Sequence, residues 1–187
     1  ILDADATERS RQEGPGNVAS DIVAAQFEPS RQDRVELRLT RAIDGPRALR
    51  ERENVRWVEL RSPLISAFYG HDVYHRAGVA LPWSWIEDET AERDRKWPAL
   101  YIVPGYGGRA TSASRYGGML ATRGIEEFAP MAVHIVLDPE SPLGHHGFVD
   151  SPNHGPRGTA LVQELIPHLE EQFRLVSAPS GRVVKGH

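Results

Sequence analysis

Trp97-Pro98-Ala99-Leu100-Tyr101-Ile102-Val103-Pro104-Gly105-Tyr106-Gly107-Gly108 is the stretch whose reading decides the fold. Ala99 to Val103 is a short, nearly continuous apolar run. Such a run suits a central strand buried on both faces of a sheet. Downstream, Ser112 to Arg123 reads as a helix weakened by Gly117-Gly118, and Met131 to Leu137 as a second buried strand. Thr159 to Phe173 reads as another helix. Its Leu161, Leu165, Leu169 and Phe173 recur at i+4 and line one stripe. Pro167 inside that stripe predicts a kink. Arg182 to Lys185 is a last short strand. Upstream, Val55 to Leu60 reads as a strand. Asp72 to Leu81 reads as its antiparallel partner, with Val73, Ala77, Val79 and Leu81 on one face. Ser62 to Gly70 connects the two, and Glu87 to Lys96 is a charged surface loop. An antiparallel pair followed by strand, helix, strand, helix, strand predicts an α/β fold. Its sheet is mostly parallel and covered on both faces.

Residues 1–53 do not continue this pattern. They are polar, with a breaker at Gly14-Pro15-Gly16. Arg34 to Thr40 alternates strictly, so Val35, Leu37 and Leu39 share one face, as in a half-buried strand. Ala42 to Glu53 carries Asp44-Gly45-Pro46 and reads as a linker. Residues 1–53 are therefore expected to be the end of an upstream β-rich module plus linker, and residues 54–187 a separate α/β domain. The 22 basic and 26 acidic side chains are well mixed, with no basic stripe for nucleic acid. The absence of cysteine removes disulfides, thiolate metal sites and a cysteine nucleophile. No apolar run is long enough for a membrane helix. A chain that begins at Ile1 without a signal peptide fits a processed, exported protein or a piece of a longer product.

Three places carry residues suited to chemistry. After the central strand, Pro104-Gly105-Tyr106-Gly107-Gly108 can turn sharply and expose backbone N–H groups. One functional reading is an oxyanion hole, in which such an N–H stabilises a tetrahedral intermediate. A second is dinucleotide binding, because Gly105, Gly107 and Ala110 satisfy G-x-G-x-x-G/A. A third is an ordinary tight turn. Pro104 and the strand pair upstream count against the dinucleotide. At the other end, a strand running into Gly186-His187 is how a G-x-S-x-G nucleophile elbow begins. Between them, Gly144-His145-His146-Gly147-Phe148-Val149-Asp150-Ser151-Pro152-Asn153-His154-Gly155-Pro156 collects three histidines and an aspartate. These lie on an irregular stretch without a helical i+4 pair or a metalloprotease motif, so no metal is expected. The reading preferred is a loop at the sheet's carboxyl edge that lines a pocket, with Asp150 and Asn153 bonded to backbone. His134, in an apolar strand, reads as a satisfied core histidine. The four tryptophans read as packing residues.

Taken together, these segments resemble the esterase family of α/β-hydrolases that includes esterase D, feruloyl esterases and mycolyltransferases. The resemblance covers about Asn54 to His187. It rests on Trp97 to Gly108, which is similar to the family's P-v-L-Y-l-l-H-G-x-g-G. It rests also on Asp150-Ser151 with Gly155-Pro156-Arg157-Gly158 and Glu164-Leu165-Ile166-Pro167, similar to D-S…G-P-x-G…E-L-I-P. The last piece is Gly186-His187, which the family continues with Ser-x-Gly-Gly. Pro104 departs from the family's histidine, Lys185 stands where a small or neutral residue is common, and His154 interrupts Asn-Gly.

The resemblance implies the N-terminal half of an α/β-hydrolase fold and a serine esterase working through an acyl-enzyme. It implies that the Tyr106 N–H is one oxyanion donor, worth roughly 3 kcal/mol of barrier. The substrate is a small-molecule ester. Gly105, Gly107, Asp150, Ser151 and Asn153 would line the pocket, and no cofactor is implied. Gly186 and His187 would open the elbow. The nucleophile and the triad acid and base would lie outside these residues. The expected partner is then the remainder of the catalytic domain, as a continuing or companion chain. The chain alone would not fold as a complete enzyme, and its last strand would be a bare apolar edge. A non-catalytic hydrolase-like protein that binds carbohydrate or a protein partner is the competing function. A nucleotide-binding oxidoreductase is the third.

Overall fold

The computed structural model describes residues 18–27, 34–42, 52–88, 95–121, 131–141 and 143–186. The chain divides into two units, Ile1–Ala48 and Leu49–His187. In the first, β1 (Val18–Ala19) pairs antiparallel with β2 (Arg41–Ala42). The strand expected over Arg34–Thr40 is not formed. Those residues have no regular structure, and Val35, Leu37 and Leu39 are exposed. Alternation offers an apolar face, but a strand also needs a ladder partner, and here pairing begins only at Arg41. Residues 43–51 of the expected linker lie outside the described residues.

The second unit is built on a five-stranded sheet in the order β3 (Val55–Arg61), β4 (Tyr74–Ala80), β6 (Val133–Leu137), β5 (Ala99–Ile102), β7 (Arg182–Lys185). β4 is antiparallel to both β3 and β6, whereas β5 is parallel to β6 and β7. β3, β5, β6 and β7 therefore end on one edge of the sheet, where β4 begins. All five residues of β6 are buried. Alternate residues serve opposite faces, as the pleat requires. Val133, Ile135 and Leu137 pack with Leu165, Leu169 and Phe173 on one face. Val136 joins Ile102, Val55 and Ala113 on the other.

Helices cover both faces. α1 (Pro63–Tyr69) fills the β3–β4 connection, a helix missed in the sequence although its signals are present. The Ser62 hydroxyl accepts from the Ile65 N–H, Pro63 opens the first turn, and Gly70 closes the helix at φ 75°. α2 (Trp83–Asp88) follows β4. A 3-10 turn (Ala110–Ser112) leads into α3 (Ala113–Leu120). α4 (Arg157–Ala160) runs through a π turn (Leu161–Leu165) into α5 (Ile166–Gln172). The π turn lies just upstream of Pro167, the position where the sequence predicts a kink. Proline lacks an N–H and crowds the carbonyl four residues back, and a wider turn just upstream relieves both conflicts.

The Gly117-Gly118 pair, which weakens α3 on propensity alone, divides into two roles. A Cβ on Gly117 would lie 2.3 Å from Val55 Cγ2, so this glycine lets α3 press onto β3. Nothing lies within 4 Å of a Cβ at Gly118. Gly117→Ala should therefore destabilise the domain by about 1–3 kcal/mol through overpacking. Gly118→Ala should stabilise it by up to about 1 kcal/mol through helix propensity. Urea unfolding of the two variants checks both signs.

Candidate active site

The chain order of the strands decides where a site can form. From β5 the chain crosses through α3 to β6 on one side. From β6 it returns through α4 and α5 to β7 on the other side of β5. The crossover direction thus reverses between β5 and β7, and in open α/β sheets ligands bind beyond the carboxyl ends of strands at such a reversal. Ile102 is level with Lys185, and the Val103 N–H donates to the Lys185 carbonyl at 2.9 Å. The turn after β5 and Gly186 after β7 consequently leave the sheet side by side. His187 lies outside the described residues.

The turn itself is tight. The Gly108 N–H donates to the Gly105 carbonyl at 2.8 Å, with Tyr106 and Gly107 between them. Gly107 has φ 85° while Tyr106 keeps an ordinary negative φ, which defines a type II turn. The Tyr106 side chain is 81% exposed. Beyond the turn, the Ala110 N–H donates to Asp138 Oδ2 at 3.3 Å, and Arg109 Nε lies 3.8 Å from the same oxygen. A carboxylate at the entrance to the Ala110 turn would repel a pyrophosphate, which argues against the dinucleotide reading of Gly105, Gly107 and Ala110.

The loop residues 143–156 reach this turn through His145. His145 Nδ1 accepts from the Gly147 N–H at 3.1 Å, so Nε2 carries the proton and donates to the Pro104 carbonyl at 2.9 Å. A histidine thus does hold the turn, but from another loop rather than from position 104. His146 is buried and accepts the Phe148 N–H through Nδ1 at 3.1 Å. Burial, followed by the charge of Arg157, pushes its pKa down to about 3. His154 shares a contact with the Ser141 hydroxyl at 3.1 Å, and its pKa is lowered by burial and by Arg157.

Asp150, Ser151 and Asn153 are all placed in this segment. Asp150 accepts from the Gly158 and Thr159 N–H groups at 2.6 and 2.9 Å and from the Thr159 hydroxyl at 2.5 Å. These bonds, the Thr159 hydroxyl first, hold its carboxyl below the usual range. Ser151 Oγ accepts from the His154 N–H at 3.1 Å. The Asn153 carbonyl accepts from the Tyr69 hydroxyl at 3.3 Å. The oxygens of Asp150 are thus spent on opening the helix at Arg157.

A serine, a glutamate and a histidine also meet away from this turn. Glu164 accepts from the Ser62 hydroxyl, from the Leu64 N–H at 2.8 Å and from His75 Nε2 at 3.0 Å. Burial raises the Glu164 pKa, but these three bonds outweigh it and leave the carboxyl lowered. The carboxylate stands between serine and histidine, so His75 cannot take the Ser62 proton. The group fastens α1 and β4 to the π turn and is no nucleophilic triad. No spacing rule in the sequence joins these residues, which are separated by 102 and 89 positions. His134 is buried as expected, but its Nδ1 has no hydrogen-bond partner, so it is not a satisfied histidine. Among the described residues no group of three His, Asp or Glu side chains is arranged to hold a metal ion. Among them, too, no helix is long and apolar enough to cross a membrane.

No protein-family model matches the chain, and no curated protein does. Among solved structures it is similar to a ferulic acid esterase, at 18% identity and a TM-score of 0.57, over 71% of this chain and 48% of that one. It also overlays on the siderophore hydrolase EstB from Aspergillus nidulans, at 17% identity and TM-score 0.48, over 75% of this chain and 51% of that one. A third match is S-formylglutathione hydrolase (FrmB) from Staphylococcus aureus, at 18% identity and TM-score 0.42, over 71% and 47%. The first of these and the strand order give an α/β-hydrolase-like fold. The chain spans about half the length of the solved structures it matches.

Burial, the largest cause in each case, depresses the pKa of His75, His134, His146 and His154 below the free value of 6.5. Between that value and the folded pKa the unfolded chain binds more protons, so stability rises with pH. The contribution is complete above about pH 6.5 and is lost as pH falls toward the folded values, about 3 for His146. The melting temperature should fall on acidification through this window. His146→Asn keeps an acceptor for the Phe148 N–H but cannot titrate, and should flatten the fall. Parallel profiles for the two proteins would show that His146 is not a source of the acid sensitivity.

Proposed function

We propose that this domain belongs to a serine hydrolase that cleaves carboxylic esters through an acyl-enzyme. In this reading the turn at Gly105, Tyr106 and Gly107 supplies one wall of the oxyanion hole. Gly186 and His187 open the nucleophile elbow, and the serine follows. The observation that carries the reading is the side-by-side exit of β5 and β7, fixed by the Val103 N–H to Lys185 carbonyl bond at the crossover reversal. An elbow serine after β7 would stand next to the Tyr106 turn. The oxyanion of a tetrahedral intermediate could then be shared between the Tyr106 N–H and the N–H of the residue after the serine. The serine's base and the acid that orients it come from the rest of the catalytic domain. That remainder would also cover β7, where Val183 and Val184 are exposed. Asp150, Ser151 and Asn153 act on the pocket by fixing the loop whose His145 holds the turn.

The turn type offers a direct test. Proline is favoured at the first central position of a type II turn, so Tyr106→Pro removes the N–H while keeping the backbone course. In the full-length protein this variant should lose about 10²–10³-fold in kcat on p-nitrophenyl butyrate. Tyr106→Phe, which keeps the N–H, should stay close to the parent. Unchanged kcat in a folded Tyr106→Pro protein would remove Tyr106 from the oxyanion hole. A full-length protein that neither turns over the ester nor takes a fluorophosphonate label would instead be the non-catalytic binding protein.

A further inference from the structure

Arg157 is the one buried cation at the carboxyl edge whose charge the described residues leave unanswered. It is only 5% exposed. Its Nε–H donates to the His154 carbonyl at 3.1 Å, and its guanidinium carbon lies 5.7 Å from the centre of the Tyr69 ring. Among the described residues no carboxylate lies within ion-pair distance of it. The two acidic side chains nearest in sequence are committed elsewhere. Asp150 serves Gly158 and Thr159. Glu164 serves Ser62, Leu64 and His75. The titratable side chains that feel the Arg157 charge are histidines, His75, His146 and His154. His146 and His154 are both held toward the neutral form by burial and then by the Arg157 charge.

Taking a guanidinium out of water without a counter-charge is costly, and the Tyr69 face returns only part of that cost. The two Nη groups remain as a fork that no protein acceptor fills among the described residues. Such a fork matches a pair of oxygens on one ligand group. The loop that carries His154 also carries His145, whose ring is bonded to the Pro104 carbonyl of the oxyanion turn.

We propose that Arg157 is the recognition group for an oxyanion, a carboxylate or phosphate carried by the molecule that this edge of the sheet binds. The inference deepens the esterase reading by making its substrate, or the acid it releases, anionic at a second position. Its test is independent of hydrolysis. The melting temperature of the full-length protein is followed against sodium acetate and, separately, sodium phosphate, with sodium chloride at matched ionic strength as the reference. The expected result is a saturable rise with at least one of the two anions beyond that in chloride. The apparent affinity should be weaker by roughly tenfold or more in Arg157→Gln, and intermediate in Arg157→Lys, which keeps the charge but not the fork. Saturation at lower acetate than phosphate assigns a carboxylate, and the reverse assigns a phosphoryl group. No saturable rise beyond chloride in the parent protein overturns the proposal, whether or not the variants fold, and so does unchanged affinity in Arg157→Gln. Anion binding without ester turnover would sink the esterase reading alone. Turnover of neutral esters without anion binding would sink this one alone.

Discussion

β5 is held on both sides by parallel partners, and the arrangement of the carboxyl edge depends on that constraint. Ahead of its ladder to β7, the chain entering β5 makes a separate parallel bridge, Trp97 to Leu175, with the segment that follows the last helix. The Trp97 N–H donates to the Arg174 carbonyl at 2.9 Å, and the Trp97 carbonyl accepts from the Val176 N–H at 2.9 Å. Trp97 is fully buried, so the entry to β5 is anchored by a large side chain as well as by these backbone bonds. At the far end the Val103 N–H continues the ladder to Lys185. A slip of one residue would turn Tyr101 and Ala99 out of the core cluster they share with Val133 and Ile135. It would also move the Gly105–Gly108 turn relative to Gly186.

The helix from Arg157 to Gln172 fixes the other half of the edge. Asp150 opens it, Glu164 ties its π turn to α1 and β4, and Leu165, Leu169 and Phe173 bury its apolar stripe on the sheet. Each fully buried leucine of that stripe contributes about 1.5–3 kcal/mol. The polar ties contribute less to net stability, but they fix direction. His75 stands at the start of β4, which lies on this edge because β4 runs against its neighbours. The loop of histidines is therefore braced by a rigid helix on one side and by the Pro104 carbonyl on the other.

The frame was legible in the sequence where one face or both had to be buried. Ala99 to Val103, Met131 to Leu137 and the i+4 leucines of the last helix each carried a period that only burial explains. The carboxyl-edge location of the Tyr106 turn followed from strand order alone. The short helix after Ser62 was missed because seven residues give little periodicity, although Ser62-Pro63 and Gly70 marked its ends. Arg34 to Thr40 misled because alternation describes a possible face and says nothing of a partner. The contacts of His145 with Pro104, and of Glu164 with Ser62 and His75, join residues 41 to 102 positions apart. No local pattern encodes them. The same holds for Arg157, whose interest lies in the carboxylate it lacks among the described residues.

The central claim is that the β5–β7 pairing sets the Tyr106 N–H beside a nucleophile that follows Gly186. The measurement that tests it most directly is a crystal structure of the full-length protein after reaction with a fluorophosphonate. The account predicts an adduct on the serine after His187, with the phosphonyl oxygen about 2.7–3.1 Å from the Tyr106 nitrogen. An adduct elsewhere, or a phosphonyl oxygen held by donors that exclude Tyr106, would contradict it.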